Sequence, residues 1–238
     1  MNSKKNLNVP NLRFPEFVRE LSLKKLEEIS TWASGGTPSK ENASFWNGTI
    51  PWISASSMHG VEYSNSNLKI TEEGLKSGSK LAKKNTLLLL VRGSMLFNRI
   101  PVGITTKDVA FNQDVKSILI DDKKGNAKYI LYWFFHSEQR IKHLVTGTGI
   151  GAGKLDMSDL KSLKVKLPTI PEQIKIATFL TSIDERINTQ SKIIEDYKLL
   201  KKGIMQKIFN QELRFKDEKG NDFPEWNEKK ISEIFEVT

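Results

Sequence analysis

The chain of 238 residues is 38% hydrophobic and 27% charged, a balance typical of soluble globular proteins. It has no cysteine, three scattered histidines, no apolar run near the ~20 residues of a membrane span and no apolar stretch at its start. These features exclude disulfides and thiol chemistry, argue against a metal or other cofactor, and favour the cytoplasm. The net charge is +9, and residues 1–170 alone hold 25 basic against 15 acidic residues, which favours a polyanionic partner over the alternative of a generically basic surface.

Residues 1–170 combine strand and helix patterns. Short runs of β-branched and aliphatic residues, bounded by Gly, Pro, Asn and Ser, predict strands at Ile50–Ser54, Thr86–Val91, Val109–Phe111, Val115–Ile120 and Leu163–Leu167. Between them, apolar residues at helical spacing predict a helix over Tyr129–Leu144. The strands are too unevenly spaced for a βαβ series, so we expect an α+β globular domain. We place the pairs Phe45-Trp46 and Pro51-Trp52 in its core.

Basic and amide side chains suited to DNA occur within this domain. Lysine attracts phosphates, arginine pairs bidentately with guanine, and asparagine or glutamine pairs with adenine. For each such residue the plain alternative is a solvated surface group. The candidate nucleic-acid contacts are Lys80, Lys83, Lys84, Arg92, Arg99, Asn112, Gln113 and Lys154.

The glycine-rich stretch from Thr146 to Lys154 does not match a nucleotide-binding loop. A P-loop requires Gly where Thr148 stands and Ser or Thr where Leu155 stands. A relaxed dinucleotide fingerprint must join a strand to a helix, whereas this stretch follows a predicted helix. We therefore expect either a mobile loop that approaches a phosphate closely, with Lys154 beside it, or a plain flexible hinge.

After Pro168 the pattern predicts a long helix that ends near Asn210. Thr169 and Glu172 have capping-box spacing, and Pro171 lies in the first turn. Apolar residues then recur at heptad spacing and form a seam, which consists of Ile176, Leu180, Ile183, Ile187, Ile194, Tyr197, Ile204 and Ile208. A helix with such a stripe needs a second helix to cover it, from this chain or from another. Residues 171–211 are therefore predicted to be a spacer and dimerisation helix.

Residues 212–238 repeat the start of the chain. The matched blocks are Leu12-Arg13-Phe14 with Leu213-Arg214-Phe215, Phe14-Pro15-Glu16-Phe17 with Phe223-Pro224-Glu225-Trp226, and Lys24–Ile29 with Lys229–Ile234. Three blocks in the same order indicate a repeat of about 205 residues. We expect the chain to be either a truncated or a half-length version of a two-repeat protein.

A series of short motifs follows one another along essentially the whole chain. They are Gly35–Ser39, Ile50–Ser54, Arg92–Ser94, Phe111–Asp114, Leu160–Pro168, Pro171–Gln173, Ile176–Leu180, Ile183-Asp184, Leu200–Phe209 and Leu213–Phe215. In this order they resemble the motifs of the specificity subunits of type I restriction-modification systems. The resemblance is strongest around the start and the end of the long predicted helix.

The resemblance implies a non-catalytic DNA-recognition role. Each recognition domain of this family reads one half of a bipartite double-stranded DNA site, while the helices space the domains and dock methyltransferase subunits, which restriction subunits join. Because this sequence holds one complete repeat, we expect a homodimer through antiparallel helices. Two alternatives are a DNA-independent coiled-coil scaffold and a fragment of an adenine DNA methyltransferase. The second alternative lacks support because the chain has no Pro-Pro dipeptide of the kind that such enzymes use at the target base.

Overall fold

In the computed structural model, the described residues are 10, 12–149 and 151–234, and the chain divides into two units, residues 1–180 and 181–238. The strands of the first unit are β1 (Ser22–Lys25), β2 (Ser30–Ser34), β3 (Trp46–Ile53), β4 (Glu62–Tyr63), β5 (Lys69–Ile70), β6 (Lys80–Ala82), β7 (Leu87–Leu90), β8 (Arg92–Gly93), β9 (Val102–Thr105), β10 (Val109–Phe111), β11 (Val115–Ile120), β12 (Thr146–Thr148), β13 (Ala152–Lys154) and β14 (Lys164–Leu167). The α-helices are α1 (Leu26–Ile29), α2 (Glu72–Gly78), α3 (Ala127–His136), α4 (Glu138–Lys142), α5 (Met157–Ser162) and α6 (Ile170–Phe209), the last of which continues into the second unit. This mixture confirms the predicted α+β class.

The main core of the first unit lies around a sheet of order β2-β11-β7-β9-β4. Its middle strand, β7, consists of four fully buried leucines and pairs antiparallel with both β11 and β9. A continuous apolar run is what a strand covered on both faces requires. The structure confirms the predicted strands β10 and β11 with the predicted bounds.

A smaller sheet, of order β5-β3-β10-β6, holds the two tryptophans that the sequence places in the core. Trp52 is buried and Trp46 half-buried, and their rings pack edge to face with centroids 5.4 Å apart. The indole N–H of Trp52 donates to the carbonyl of Gly36 at 3.0 Å, so its polar atom is satisfied inside the protein. The structure confirms the core position of Trp52, whereas Trp46 packs against this core from a half-buried position.

The predicted helix over Tyr129–Leu144 is two helices, α3 and α4, which meet at Ser137. The first begins at Ala127, where the side chain of Asn126 accepts a hydrogen bond from the amide of Tyr129 at 3.0 Å. An asparagine cap supplies an acceptor that the first helical turn lacks, which explains the earlier start.

The glycine-rich stretch folds as a β-hairpin rather than as an irregular loop or hinge. Strands β12 and β13 pair antiparallel, and β13 pairs in turn with β8. A side chain at Gly153 would bring its Cβ within 2.8 Å of Val145 and 3.0 Å of Leu96, so glycine permits this close packing. Such pairing depends on backbone hydrogen bonds, which hydrophobic periodicity does not reveal.

Helix α6 is anchored at its start by the N-terminal segment. Glu172, which the sequence pattern assigned to a capping box, is almost fully buried, and both of its carboxylate oxygens accept from Arg13 at 2.6 Å. A carboxylate removed from water in this way needs a paired cation. The predicted long helix itself is confirmed, with bounds Ile170–Phe209.

The second unit contains the rest of α6 and a short tail. The tail has an antiparallel bridge between Lys216 and Asp222 and a 3₁₀ turn over Ile231–Glu233. Among the described residues, no helix is both long enough and apolar enough to cross a membrane.

Candidate nucleic-acid interface

Strand ends converge at Val91, the residue between β7 and β8. Its amide donates to the carbonyl of Asp114 at 2.8 Å, and its carbonyl accepts from the amide of Leu155 at 2.9 Å. Val91, Asp114 and Leu155 each adjoin, in the chain, an exposed residue that the sequence predicts to contact DNA. These neighbours, which we call the junction surface, are Arg92, Gln113 and Lys154.

Two cations of the junction surface are direct cross-strand partners. Arg92 on β8 lies opposite Lys154 on β13 in the antiparallel register. Opposed residues of antiparallel strands have Cβ atoms about 4.5–5.5 Å apart, and like charges in that position destabilise the pairing. An anion bound between the two side chains relieves this repulsion, so the arrangement suits a phosphate or the acceptor edge of a base.

Gln113 is held from two sides. The hydroxyl of Thr37 donates to its side-chain oxygen at 2.6 Å, and the ammonium of Lys116 donates to its backbone carbonyl at 2.7 Å and to the hydroxyl of Ser34 at 2.6 Å. Burial lowers the pKa of Lys116, while the charge of Asp114 acts in the opposite direction. These contacts orient the amide before any ligand binds.

Sequence reasoning missed Thr37 and Lys116 as parts of this site. Thr37 belongs to the motif Gly35–Ser39, but it meets Gln113 across 76 positions. Lys116 is half-buried in β11 only three positions after Gln113, and its contact with Ser34 spans 82 positions. Gly35 makes the crossing possible, because a Cβ there would lie 2.0 Å from the carbonyl oxygen of Phe111.

Two other predicted contacts support the structure locally. Asn112 is buried, and its side-chain oxygen accepts from the amides of Asp114 at 3.2 Å and Val115 at 3.1 Å, which stabilises the turn before β11. Arg99 is half-buried and donates to the carbonyl of Met58 at 2.9 Å. Gln113 is therefore the exposed amide of the pair that the sequence selected.

The three predicted lysines lie at two different ends of β10. Lys80 is paired in register with Phe111, at the end of β10 that leads to the junction surface. Lys83 forms an ion pair with Asp108 at 2.7 Å, and the amide of Lys84 donates to the same carboxylate at 3.0 Å, at the start of β10. Hydrogen bonds from these two residues lower the pKa of Asp108. The structure thus places Lys80 at the end of β10 that leads to Gln113, and Lys83 and Lys84 at its start.

The predicted seam of α6 is exposed over most of its length. Ile176, Leu180 and Ile208 are half-buried, whereas the seam residues between them are exposed: Ile183, Ile187, Ile194, Tyr197 and Ile204. A third column flanks the seam at heptad spacing and contains Phe179, Ile193 and Leu200, which are 39–56% exposed, with Arg186 between the first two. A strict two-column seam suits one partner helix, and an added column is typical of a helix that faces a bundle.

Comparison with known proteins gives one consistent family. The family model described as "Type I restriction modification DNA specificity domain" matches residues 19–196. The specificity subunit of the type I restriction enzyme EcoR124I/EcoR124II of Escherichia coli is 35% identical over 172 residues, which cover 71% of this chain and 42% of that protein. The specificity subunit of the type I restriction enzyme MjaIX of Methanocaldococcus jannaschii is 28% identical over 233 residues, which cover 92% of this chain and 52% of that protein. The chain spans about half the length of these curated relatives.

A solved structure shares the architecture. The crystal structure of the type I restriction-modification system S subunit from M. genitalium superimposes with a TM-score of 0.55 at 21% identity, and the match covers 87% of this chain and 48% of that one. At this level of identity the likeness concerns the fold.

Proposed function

Because this chain belongs to the type I restriction modification DNA specificity family, we propose that it supplies sequence-specific DNA recognition to a restriction-modification complex and has no catalytic role of its own. Residues 1–170 read one half of a bipartite duplex site, residues 171–211 space and join two such readers, and residues 212–238 begin a second repeat. The observation that carries the proposal is the junction surface, in which two opposed cations and a hydrogen-bonded amide adjoin the backbone positions that meet at Val91. Such a role places the protein in the cytoplasm, with access to the chromosome.

The junction surface has the chemistry of direct readout. Arg92 can donate two hydrogen bonds to guanine, and Gln113 can pair with adenine, because its amide is already oriented by Thr37. Lys80 and Lys154 supply charge for the flanking phosphates, and Lys83 and Lys84 form a second basic edge. The proposal therefore separates base readers from phosphate contacts within one domain.

The exposed seam supports a homodimer with antiparallel helices. Two copies related by a twofold axis cover each other's seam, and the axis places the two recognition domains at opposite ends of the helix pair. Identical domains read identical half-sites, so the site is a palindrome with an unread gap, its halves about one DNA turn (~34–36 Å) or somewhat more apart.

The flanking column supports docking of further subunits. Phe179, Ile193 and Leu200 lie beside the seam, so a single partner helix leaves part of this column uncovered. We assign it to methyltransferase subunits, through which restriction subunits join the complex.

Selection of bound duplexes from a random pool tests the proposed recognition. The full chain is expected to enrich two inverted identical half-sites separated by a gap of constant length. On the selected site, Gln113→Ala and Arg92→Ala are each expected to cost about 1–3 kcal/mol of binding free energy and to change binding to random duplex little. Lys164→Ala is the matched control, because this exposed lysine lies on β14, which pairs with β1 in a separate sheet.

Two results contradict the proposal. Failure to enrich any sequence favours the scaffold alternative. Equal losses on selected and random duplexes for Gln113→Ala and Arg92→Ala show that the junction surface does not read bases.

A further inference from the structure

The first copy of the repeated motif is docked on the start of α6. Besides the bidentate Arg13–Glu172 pair, the ring of Phe14 packs edge to face against Phe179 with centroids 6.2 Å apart, and Glu16 forms an ion pair with Lys175. We call residues 12–17 the first docking motif. It lies beside an apolar cavity of about 380 Å³, lined in part by Leu12, Phe14, Tyr129, Ile176, Phe179 and Leu180.

The second copy of the motif, residues 213–226, contains an insertion between Phe215 and Phe223 that the first copy lacks. Residues between Phe215 and Phe223 form a small hairpin, in which the amide of Asp217 donates to the carbonyl of Asn221 at 3.0 Å. The guanidinium of Arg214 donates to the carbonyl of Phe223 at 2.8 Å. The hairpin therefore rejoins Arg214 with the Phe-Pro-Glu-aromatic sequence that follows Arg13 directly in the first copy. We call residues 213–226 the second docking motif.

The second docking motif is held at the end of α6 rather than at its start. Trp226 packs edge to face on Phe209 with centroids 6.1 Å apart, and the amide of Leu213 donates to the carbonyl of Lys207 at 3.0 Å. Further along, Ile231 and Ile234 are exposed, although their repeat counterparts Leu26 and Ile29 are fully buried. The second copy thus has the same sequence motif as the first, but the residues that follow it are not buried as those of the first copy are.

An antiparallel pair of α6 helices brings the second docking motif of one copy to the groove of the other copy, by which we mean the apolar cavity beside Glu172 at the start of α6. The seam runs from Ile176 to Ile208, and a twofold axis at its middle places Ile208 of one copy beside Ile176 of the other. Leu213 and the residues after it then lie beside Glu172 of the other copy. The occupant that we consider is another copy of the chain, because the twofold axis brings the end of one α6 to the start of the other.

We propose that the second docking motif of one copy binds the groove at the start of α6 in another copy, where it replaces the first docking motif and pairs Arg214 with the partner's Glu172. The inference rests on the homodimer of the proposed function. Glu172 requires a cation because it is almost fully buried, and the two motifs offer the same guanidinium, aromatic ring and carboxylate in the same order. The exchange locks the ends of the two helices together and so sets the distance between the two DNA readers.

Thiol cross-linking tests the exchange in the full chain, because the sequence has no cysteine of its own. Lys175→Cys combined with Glu16→Cys reports docking within one chain, and Lys175→Cys combined with Glu225→Cys reports docking between chains. Lys175 and Glu16 are surface residues, so these replacements leave the core intact. With a short bismaleimide, we expect the first variant to give a cross-linked monomer at low protein concentration, where the first docking motif fills the groove. We expect the second variant to give a covalent dimer at high protein concentration, where the second docking motif has replaced it. Lys175→Cys with Glu228→Cys is the matched control, since Glu228 lies just outside the motif.

Two arginine variants make the test quantitative. Arg13→Ala is expected to raise the ratio of interchain to intrachain cross-link by at least about tenfold, because it leaves the buried Glu172 for Arg214 to pair with. Arg214→Ala, a change within the second unit, is expected to reduce the covalent dimer, and Arg19→Ala is the control for both.

The outcomes separate this inference from the proposed function. A dimer by light scattering with no covalent dimer from the Lys175→Cys, Glu225→Cys variant overturns the exchange and leaves the homodimer in place. A monomer at all concentrations overturns both the exchange and the homodimer, while the duplex selection judges DNA recognition separately. An equal yield from the Glu228→Cys control shows mere proximity and also overturns the exchange.

Discussion

Breaking the anchoring pair Arg13–Glu172 by removing one member is expected to destabilise the first unit by several kilocalories per mole. The two side chains are 8% and 2% exposed and are joined by two hydrogen bonds of 2.6 Å. Removing one member of such a pair leaves an uncompensated buried charge, which costs about 3–5 kcal/mol. We therefore expect Arg13→Ala to lower the free energy of unfolding by that amount.

A double replacement separates the cost of the unpaired charge from the value of the pair. Replacing both members with apolar residues of similar size, as in Arg13→Met with Glu172→Leu, removes both charges and is expected to restore most of the lost stability. The neighbouring pair Lys175–Glu16 is the control, because its side chains are 46% and 47% exposed. Lys175→Ala is expected to cost less than about 1 kcal/mol.

Denaturant unfolding followed by tryptophan fluorescence measures these effects. Four of the five tryptophans lie in the first unit, so a Trp226→Phe background makes the signal report on that unit alone. The titration is made at low protein concentration, where Arg214 of a second copy cannot replace Arg13. A loss for Arg13→Ala no larger than that for Lys175→Ala would falsify the reasoning, as would a double variant as unstable as the single one.

Three further predictions concern charge and assembly. Replacing Lys80, Lys83 and Lys84 with Ala together should flatten the dependence of duplex affinity on salt by about 0.9 log units per tenfold salt for each phosphate that these lysines neutralise, and an unchanged slope removes them from the DNA surface. Ile187→Asp should convert the dimer to a monomer in light scattering, whereas Asn188→Asp, which adds the same charge off the seam, should not; dimers of both variants contradict the proposed helix pairing. Lys83→Ala should raise the pKa of Asp108 towards its ordinary value of 3.8, as measured by NMR titration. Because the folded protein lowers this pKa, the stability contributed by Asp108 is present above pH 3.8 and is lost as the pH falls through the lowered value. If the pKa of Asp108 in the variant equals that in the unmodified protein, the result contradicts the ion pair.

Local patterns in the sequence were sufficient for the elements whose stability is local or strongly periodic. The four consecutive leucines of β7 indicate a strand that is buried on both faces. The heptad spacing of the seam indicates that α6 has one apolar face and needs a partner, because spacing determines which face of a helix its side chains share. The repeated motif and the order of the family motifs are likewise properties of the sequence. These features established the fold class and the family.

The tertiary structure alone decided which polar residues act together. Lys80, Lys83 and Lys84 are neighbours in sequence, yet the register of β6 on β10 pairs Lys80 with Phe111, whereas Asp108 binds the side chain of Lys83 and the amide of Lys84. Asn112 and Gln113 are adjacent, yet one is buried in a turn and the other is exposed.

Contacts between residues far apart in the chain were likewise decided by the tertiary structure. Arg13 and Glu172 are 159 positions apart, and neither residue's local sequence shows that the other will neutralise it. Thr37 meets Gln113 across 76 positions because the glycine at position 35 lets two backbones cross. Contacts of this kind depend on strand register and close backbone approach, which are set when the whole domain packs, and no pattern of neighbouring residues encodes them.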